Sequence, residues 1–322
     1  MLNKNKAYAC YSIHESIRLK SSSGGLFYLF AKQILEIKGV VYGVTMSEDC
    51  KEAYFTRINN IDNIHCLLGS KYLQADLRDS YKKVLNDLLN DFIVLFCGTG
   101  CQINGLKNFL EKKLNLKQLE NLYCIDIICH GVSSPGLWSK YVSFLENKEN
   151  SKLISVSFRA KDEGWKNYGM RYKYLDKTKF IPKNEDPYMS MFLKNHSLRP
   201  SCYNCLIKEN IESDITIGDF WGINNIAPIM NDDKGTSLIV INTSHGDRLF
   251  TKIMDDIKFI DVNLEEAIKY NSAYYKSVCK PANRNSFFDD LNTISFIKFL
   301  KKYNFKKKIS LKKIIKKVFK HK

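Results

Sequence analysis

The chain has 322 residues, 44% of them hydrophobic and 12% aromatic, which is enough for a substantial core and too apolar for a tail or linker. Its net charge of +16 suggests nucleic acid until the distribution is examined: residues 298 to 322 hold twelve lysines and no acidic residue, so 16 − 12 leaves +4 for everything before them. That charge is not interleaved with base-stacking aromatics on a recognisable module, which argues against nucleic-acid binding.

The N-terminus lacks the apolar core of a signal peptide, and no run approaches the roughly 20 apolar residues of a membrane span. The expected compartment is the cytoplasm, where the ten cysteines are reduced thiols available for metal binding or chemistry.

In chain order, Ser21-Ser22-Ser23-Gly24-Gly25 precedes a helical pattern through Leu26, Leu29, Phe30, Ile34 and Leu35, and is expected to open the first helix. Serine hydroxyls, bare glycines and unpaired helix-start amides make it a candidate pocket for a phosphate or pyrophosphate, although a plain serine cap reads the same way. Gly39 to Met46 is a strand pattern. Ser70-Lys71-Tyr72 offers a cation and a phenol to a phosphate and a ring, or a solvated lysine beside a core tyrosine.

Phe92 to Phe96 reads as a buried strand, Gly98 to Gly100 as a turn, Ile103 through Leu114 as a helix, and Leu122 to Ile128 as a second buried strand. Strand, helix, strand predicts two parallel neighbours, and open α/β sheets bind ligands beyond the carboxyl ends of their strands. Cys97, Cys101 and Cys129 lie at such ends. A helix follows, capped by Ser133 or Ser134, with Pro135 in its first turn.

Further strands are expected at Leu153 to Phe158, Met170 to Tyr174, Asp214 to Gly218 and Ser237 to Asn242, and a helix from Asp247 through Ile257. In the tail, Leu311, Ile314, Ile315, Val318 and Phe319 share one helical face opposite lysines. Such a basic amphipathic helix suits an anionic membrane surface, an acidic partner, or its own domain. The expected fold is α/β, a mixed, largely parallel sheet flanked by helices. One compact unit, with an N-terminal part over 1–90 and a cysteine-bearing part over 91–287, is followed by a basic C-terminal helical tail over 288–322.

Cys202 and Cys205 form a Cys-x-x-Cys turn, whose soft thiolates select zinc or an iron-sulfur cluster. Zinc ribbons usually show two such pairs and this chain has one, whereas an iron-sulfur cube takes ligands from separated loops, so Cys101, Cys129, Cys202 and Cys205 form an acceptable set. Cys97 suits packing or the site. Cys10, Cys50, Cys66, Cys124 and Cys279 have no patterned neighbours and read as buried small hydrophobes. His130 either positions a cofactor, serves as an acid or caps a turn. Asp219 and Trp221, at a strand end, would frame a ring-shaped ligand unless Trp221 is core.

These segments together resemble a known family. The ordered set is the serine-glycine turn, Gly69 to Tyr72, Gly98 to Gln102, Asp126 to Pro135, Phe158 to Lys161 with Gly164-Trp165, Arg199 to Cys205, and Ser213 to Gly222. It is similar to the coenzyme F420 hydrogenase/dehydrogenase beta-subunit family, from about Ala7 to Phe287. The resemblance implies an oxidoreductase that passes electrons between a 4Fe-4S cluster and an organic acceptor, with coenzyme F420 as one candidate, through FAD. It implies Cys101, Cys129, Cys202 and Cys205 as cluster ligands. Around the flavin it implies Ser22, Ser23, Gly24, Gly25, Ser70, Lys71, Tyr72, His130 and Gly131, with His130 and Lys71 as the catalytic candidates.

Many relatives have proline where Gly100 stands, a change expected to loosen the turn before Cys101. The basic residue often found shortly before Ser-Asp-Ile-Thr is replaced by Ile211 or Glu212. Many bacterial relatives begin with a ferredoxin-like module of eight cysteines, so the implied electron source here is a separate ferredoxin or other donor protein. The alternative is a non-enzymatic accessory component of a surface-polysaccharide biosynthesis complex, attached through the basic tail.

Overall fold

A computed structural model describes residues 6–303. The strands are β1 (Lys6–Ser12), β2 (Val40–Met46), β3 (Ala53–Ile58), β4 (Val94–Thr99), β5 (Leu122–Ile127), β6 (Leu153–Ala160), β7 (Gly169–Tyr174), β8 (Thr178–Pro182), β9 (Ile215–Asp219), β10 (Ser237–Ile241) and β11 (Ile257–Asp261). The helices are α1 (Glu15–Lys20), α2 (Leu26–Glu36), α3 (Ser80–Leu89), α4 (Gly100–Leu110), α5 (Leu116–Leu119) and α6 (Pro135–Glu149). They continue with α7 (Pro187–Leu193), α8 (Ile223–Ile226), α9 (Ser244–Thr251), α10 (Leu264–Ile268), α11 (Arg284–Thr293) and α12 (Phe296–Tyr303).

The main sheet runs β11-β1-β10-β9-β5-β4-β2-β3. Its four central strands, β2, β4, β5 and β9, are mutually parallel, and the outer pairs are antiparallel. The α/β sheet flanked by helices is therefore present as expected.

Central strands read as continuous apolar runs because both sheet faces are covered. Val94 and Phe96 pack with Tyr42, Ile103, Leu106 and Trp138, while Leu95, one residue out of phase, packs with Phe30, Ile34, Val41 and Ile125 on the other face.

The expected parallel pair is in register from Val94 opposite Leu122 to Thr99 opposite Ile127, and Ile127 also lies opposite Ile217 of β9. Three strands thus end at one edge, and the chain leaving each carries Cys101, Cys129 or Trp221. A three-stranded antiparallel sheet, β6-β7-β8, packs beside the main one. Tyr141 of α6 and Tyr172 of β7 both donate to the buried Asp186 carboxylate, at 2.9 and 2.8 Å, and Asp186 caps α7 by accepting from the Met189 amide.

Some boundaries differ from expectation. The serine-glycine turn opens the second helix, because α1 precedes it. The expected helix over Asp247 to Ile257 is α9, shifted back to a Thr243 cap and ending at Thr251, after which Ile257 enters β11. Short apolar runs do not distinguish helix from turn plus strand. Ser134 is the residue that caps α6.

Cys10, Cys50 and Cys124 are buried as expected, but Cys66 and Cys279 are exposed. Cys66 lies in the 3-10 turn Ile61–Leu67 and Cys279 in the segment before α11, and no described residue covers either. Phe287 of α11 and Phe299 and Tyr303 of α12 are buried in the larger core. The stripe from Leu311 to Phe319 lies outside the described residues. No helix among the described residues is long and apolar enough to cross a membrane.

Candidate functional site

Beyond the carboxyl ends of β4 and β5 lies a cavity of about 800 Å³. Cys101, Cys129, Cys202 and Cys205 all line it, and Cys97 does not. Cys101 is held by the start of α4, where the Thr99 amide donates to Gln102 Oε1 at 2.9 Å to close a capping box. Gly100 is the first residue of that helix, and a Cβ on it would lie 2.6 Å from Ile207 Cγ2. The turn before Cys101 is therefore not loosened by the glycine; it is capped on one side and pressed by Ile207 on the other.

The Cys-x-x-Cys turn is brought in by backbone bonds. The Cys202 amide donates to Arg199 O at 3.0 Å, the Arg199 amide to Val132 O at 2.9 Å, and the Ser134 amide to Ser197 O at 2.9 Å. These lace the turn to the segment that follows Cys129. The Cys205 amide donates to Ser277 Oγ at 2.9 Å.

Neither position 211 nor 212 carries a basic side chain, but Lys208 stands beside the cysteines. Lys208 Nζ donates to the Cys129 carbonyl at 2.7 Å and to the Ala273 carbonyl. Burial pushes the Cys129 thiol up to about 12, with the Lys208 ammonium acting against it, and burial also raises Cys202.

Among the described residues no three His, Cys, Asp or Glu side chains converge on a point where they could hold a metal ion. A four-iron cube asks for something different, four thiolates spread around a multi-atom body. Four cysteines around one roomy cavity, with a cation beside them, fit that requirement by donor chemistry and number.

A second cavity, of about 440 Å³, adjoins the first. Ser22, Ser23, Gly25, Ser70, Lys71, Tyr72, His130 and Gly131 line it. Gly24 is not on that wall; its amide donates at 3.0 Å to the hydroxyl of Ser237, which is, and a Cβ on Gly24 would meet Cys10 O at 2.6 Å. Gly25 has φ +89, which explains a glycine before α2. Ser22 Oγ accepts from the Ser70 amide at 2.7 Å and shares a hydroxyl contact with Ser70 at 3.0 Å, so two separate segments meet.

Lys71 Nζ donates to the carbonyls of Leu67 and Leu68 at 3.0 and 2.9 Å, and burial brings its ammonium down to about 8. Tyr72 stacks on Phe192 at 4.9 Å. The His130 Nε2 is 2.7 Å from Asn195 Oδ1, and burial lowers its pKa, favouring the neutral ring. Cys97 belongs to this cavity's wall. So do Asp219 and Trp221, the latter 43% exposed and stacked at 5.2 Å on the buried Trp165. Trp221 is therefore not core.

Arg159 is a site residue that the sequence alone does not single out. It is 4% exposed, pairs with Asp219 at 3.1 Å, and lies 3.8 Å over Tyr168 and 5.0 Å over Trp221. Its Nε has no hydrogen-bond partner among the described residues, although the residue lines the cavity. A buried guanidinium with a spare donor suits a ligand that carries acceptor or anionic groups. An arginine inside a strand motif is the only signal of it in the chain. Lys208, three residues past the Cys-x-x-Cys turn, has none.

The two cavities share the wall from Ile127 to Val132, with Thr99, Gln102 and Ala273. The carboxyl edge of an α/β sheet thus carries a cysteine-lined cavity beside a serine-lined one.

Residues 93–266, more than half of the chain, match the family described as the C terminus of the coenzyme F420 hydrogenase/dehydrogenase beta subunit, and the protein belongs to that family. Its structure is similar to a chain in a xenon-derivatised structure of the F420-reducing [NiFe] hydrogenase complex from Methanosarcina barkeri. The TM-score is 0.57 at 14% identity, covering 88% of this chain and 91% of that one. At that identity the similarity is one of fold.

Proposed function

We propose that this protein is an iron-sulfur flavoprotein oxidoreductase that receives electrons from an external donor protein, such as a ferredoxin, and delivers them to a small organic acceptor. In this reading a 4Fe-4S cluster is bound by Cys101, Cys129, Cys202 and Cys205, and FAD occupies the serine-lined cavity. When bound, the cluster supplies single electrons and the flavin exchanges a hydride with the acceptor. The observation that supports this most is the shared wall: Cys129 borders both cavities, and His130 and Gly131 continue it.

The chain's own residues have defined tasks. Thiolates from the segments after β4 and β5 and from the turn between α7 and β9 bind the cluster, and the Lys208 ammonium offsets part of their charge. The Ser22 and Ser70 hydroxyls and the start of α2 meet the anionic part of the flavin. The His130 ring, whose Nε2–H donates to Asn195 Oδ1, is oriented to accept a proton at Nδ1. Coenzyme F420 is the first acceptor to assay, given the family.

Anaerobically purified protein is expected to be brown-yellow, to contain about four iron atoms per chain and to release flavin on denaturation. A colourless preparation with stoichiometric zinc would sink the proposal. Replacing both Cys202 and Cys205 by serine should remove the iron; unchanged iron content would reject the ligand set.

A further inference from the structure

One ammonium grips the serine-glycine turn from behind. Lys161, just past β6, donates to Arg18 O at 2.8 Å, Ser23 O at 3.0 Å and Lys234 O at 2.7 Å. Those carbonyls belong to the last turn of α1, the serine-glycine turn itself and the loop before β10. An ammonium has three donors, and here each meets a backbone acceptor.

The same segments are pressed together elsewhere. Gly235 has φ +108, and a Cβ on it would lie 2.8 Å from Ser23 O. Arg18 Nε donates to Gly235 O at 2.7 Å, and Ser23 Oγ donates to Thr236 O at 2.9 Å.

The grip on Ser23 has a geometric consequence. Its carbonyl and the Gly24 amide are opposite ends of one planar peptide unit, and that amide donates to Ser237 Oγ at 3.0 Å. Lys161 and Ser237 therefore hold the plane from both sides. Fixing it sets the direction in which Ser22 and the start of α2 face the cavity.

We infer that Lys161 is a positioning residue, which holds the Ser23-Gly24 peptide in the orientation that receives the anionic part of the ligand. The inference rests on the flavin reading of the second cavity. It carries a pH signature, because burial and Arg159 bring the lysine down to about 7. Arg18 adds to that effect, while Asp219 and Asp232 oppose it. A neutral amine has one donor fewer, so the grip weakens as pH rises through that value.

The test titrates full-length, flavin-free protein with FAD and with riboflavin, which lacks phosphates, and follows flavin fluorescence at about pH 6 and about pH 8.5. Wild type should bind FAD more tightly at the lower pH. Lys161→Met should weaken FAD binding about tenfold at the lower pH, remove the part of the pH difference that falls around pH 7 while leaving the part that Lys71 contributes around pH 8, and leave riboflavin affinity and iron content unchanged. Ser237→Ala, which releases the other end of the peptide, should weaken FAD binding while keeping the pH dependence.

Lys161→Met that binds FAD like wild type, or that loses riboflavin equally, overturns the inference while the flavin reading stands. So does a Ser237→Ala protein with undiminished FAD affinity. Wild type that binds neither flavin overturns both.

Discussion

Asp126 shows how a buried group at the end of β5 is managed. Its carboxylate accepts from Ser213 Oγ at 2.7 Å, yet burial still pushes its pKa up to about 6. The folded state therefore holds this proton more tightly than the unfolded chain does, and the sign follows. The stabilisation is full below the unfolded carboxylate pKa and is lost as pH rises through about 6. Asp126→Asn keeps an acceptor for Ser213 and removes the charge. In metal-free protein it should raise stability at about pH 8 by on the order of 2 kcal/mol, with the gain vanishing below about pH 4, as measured by urea denaturation. A loss at the higher pH would show that the charged form is needed.

The cysteines are legible in the sequence because a Cys-x-x-Cys turn and thiols at strand ends are local patterns. Lys208 and Arg159 are not, because their importance comes from partners 79 and 60 residues away.

At the scale of elements, the start of α4 is built against the turn that carries Leu206–Lys208. Alanine normally favours a helix over glycine, but at position 100 the added carbon would strike Ile207 Cγ2 at 2.6 Å. Gly100→Ala should therefore cost about 1–3 kcal/mol, and combining it with Ile207→Ala should recover part of that loss in a double-mutant cycle read by chemical denaturation. Simple additivity would mean that the clash is relieved by backbone movement elsewhere.

The apolar runs of β4 and β5, the α4 periodicity and the Ser134-Pro135 helix start are readable because each reports its own environment. The strands β1, β3, β8 and β11 are not. Their short segments acquire meaning only from neighbours, as when β1 pairs with both β10 and β11.

For the whole molecule, the placement of α11 and α12 decides where the basic tail can be cut. Phe299 and Tyr303 belong to the core, so removal from residue 298 onward would damage the fold, whereas ending the chain at Tyr303 preserves every described element. That cut removes nine lysines and lowers the net charge from +16 to +7. The shortened protein should keep the iron content of the full chain and lose co-sedimentation with vesicles of anionic phospholipid. Equal sedimentation of both forms would assign membrane association to another surface or to none.

By itself the sequence determined the α/β class, the parallel pair at its centre and the position of Cys101 and Cys129 just past strand ends, because periodicity and short-range spacing are properties of the chain alone. The joining of the two cavities along Ile127 to Val132, the grip of Lys161 on the Ser23-Gly24 peptide and the cation beside Cys129 were decided only by tertiary structure. Each depends on which strand ends meet at the sheet edge, and strand order is set by packing of the whole sheet.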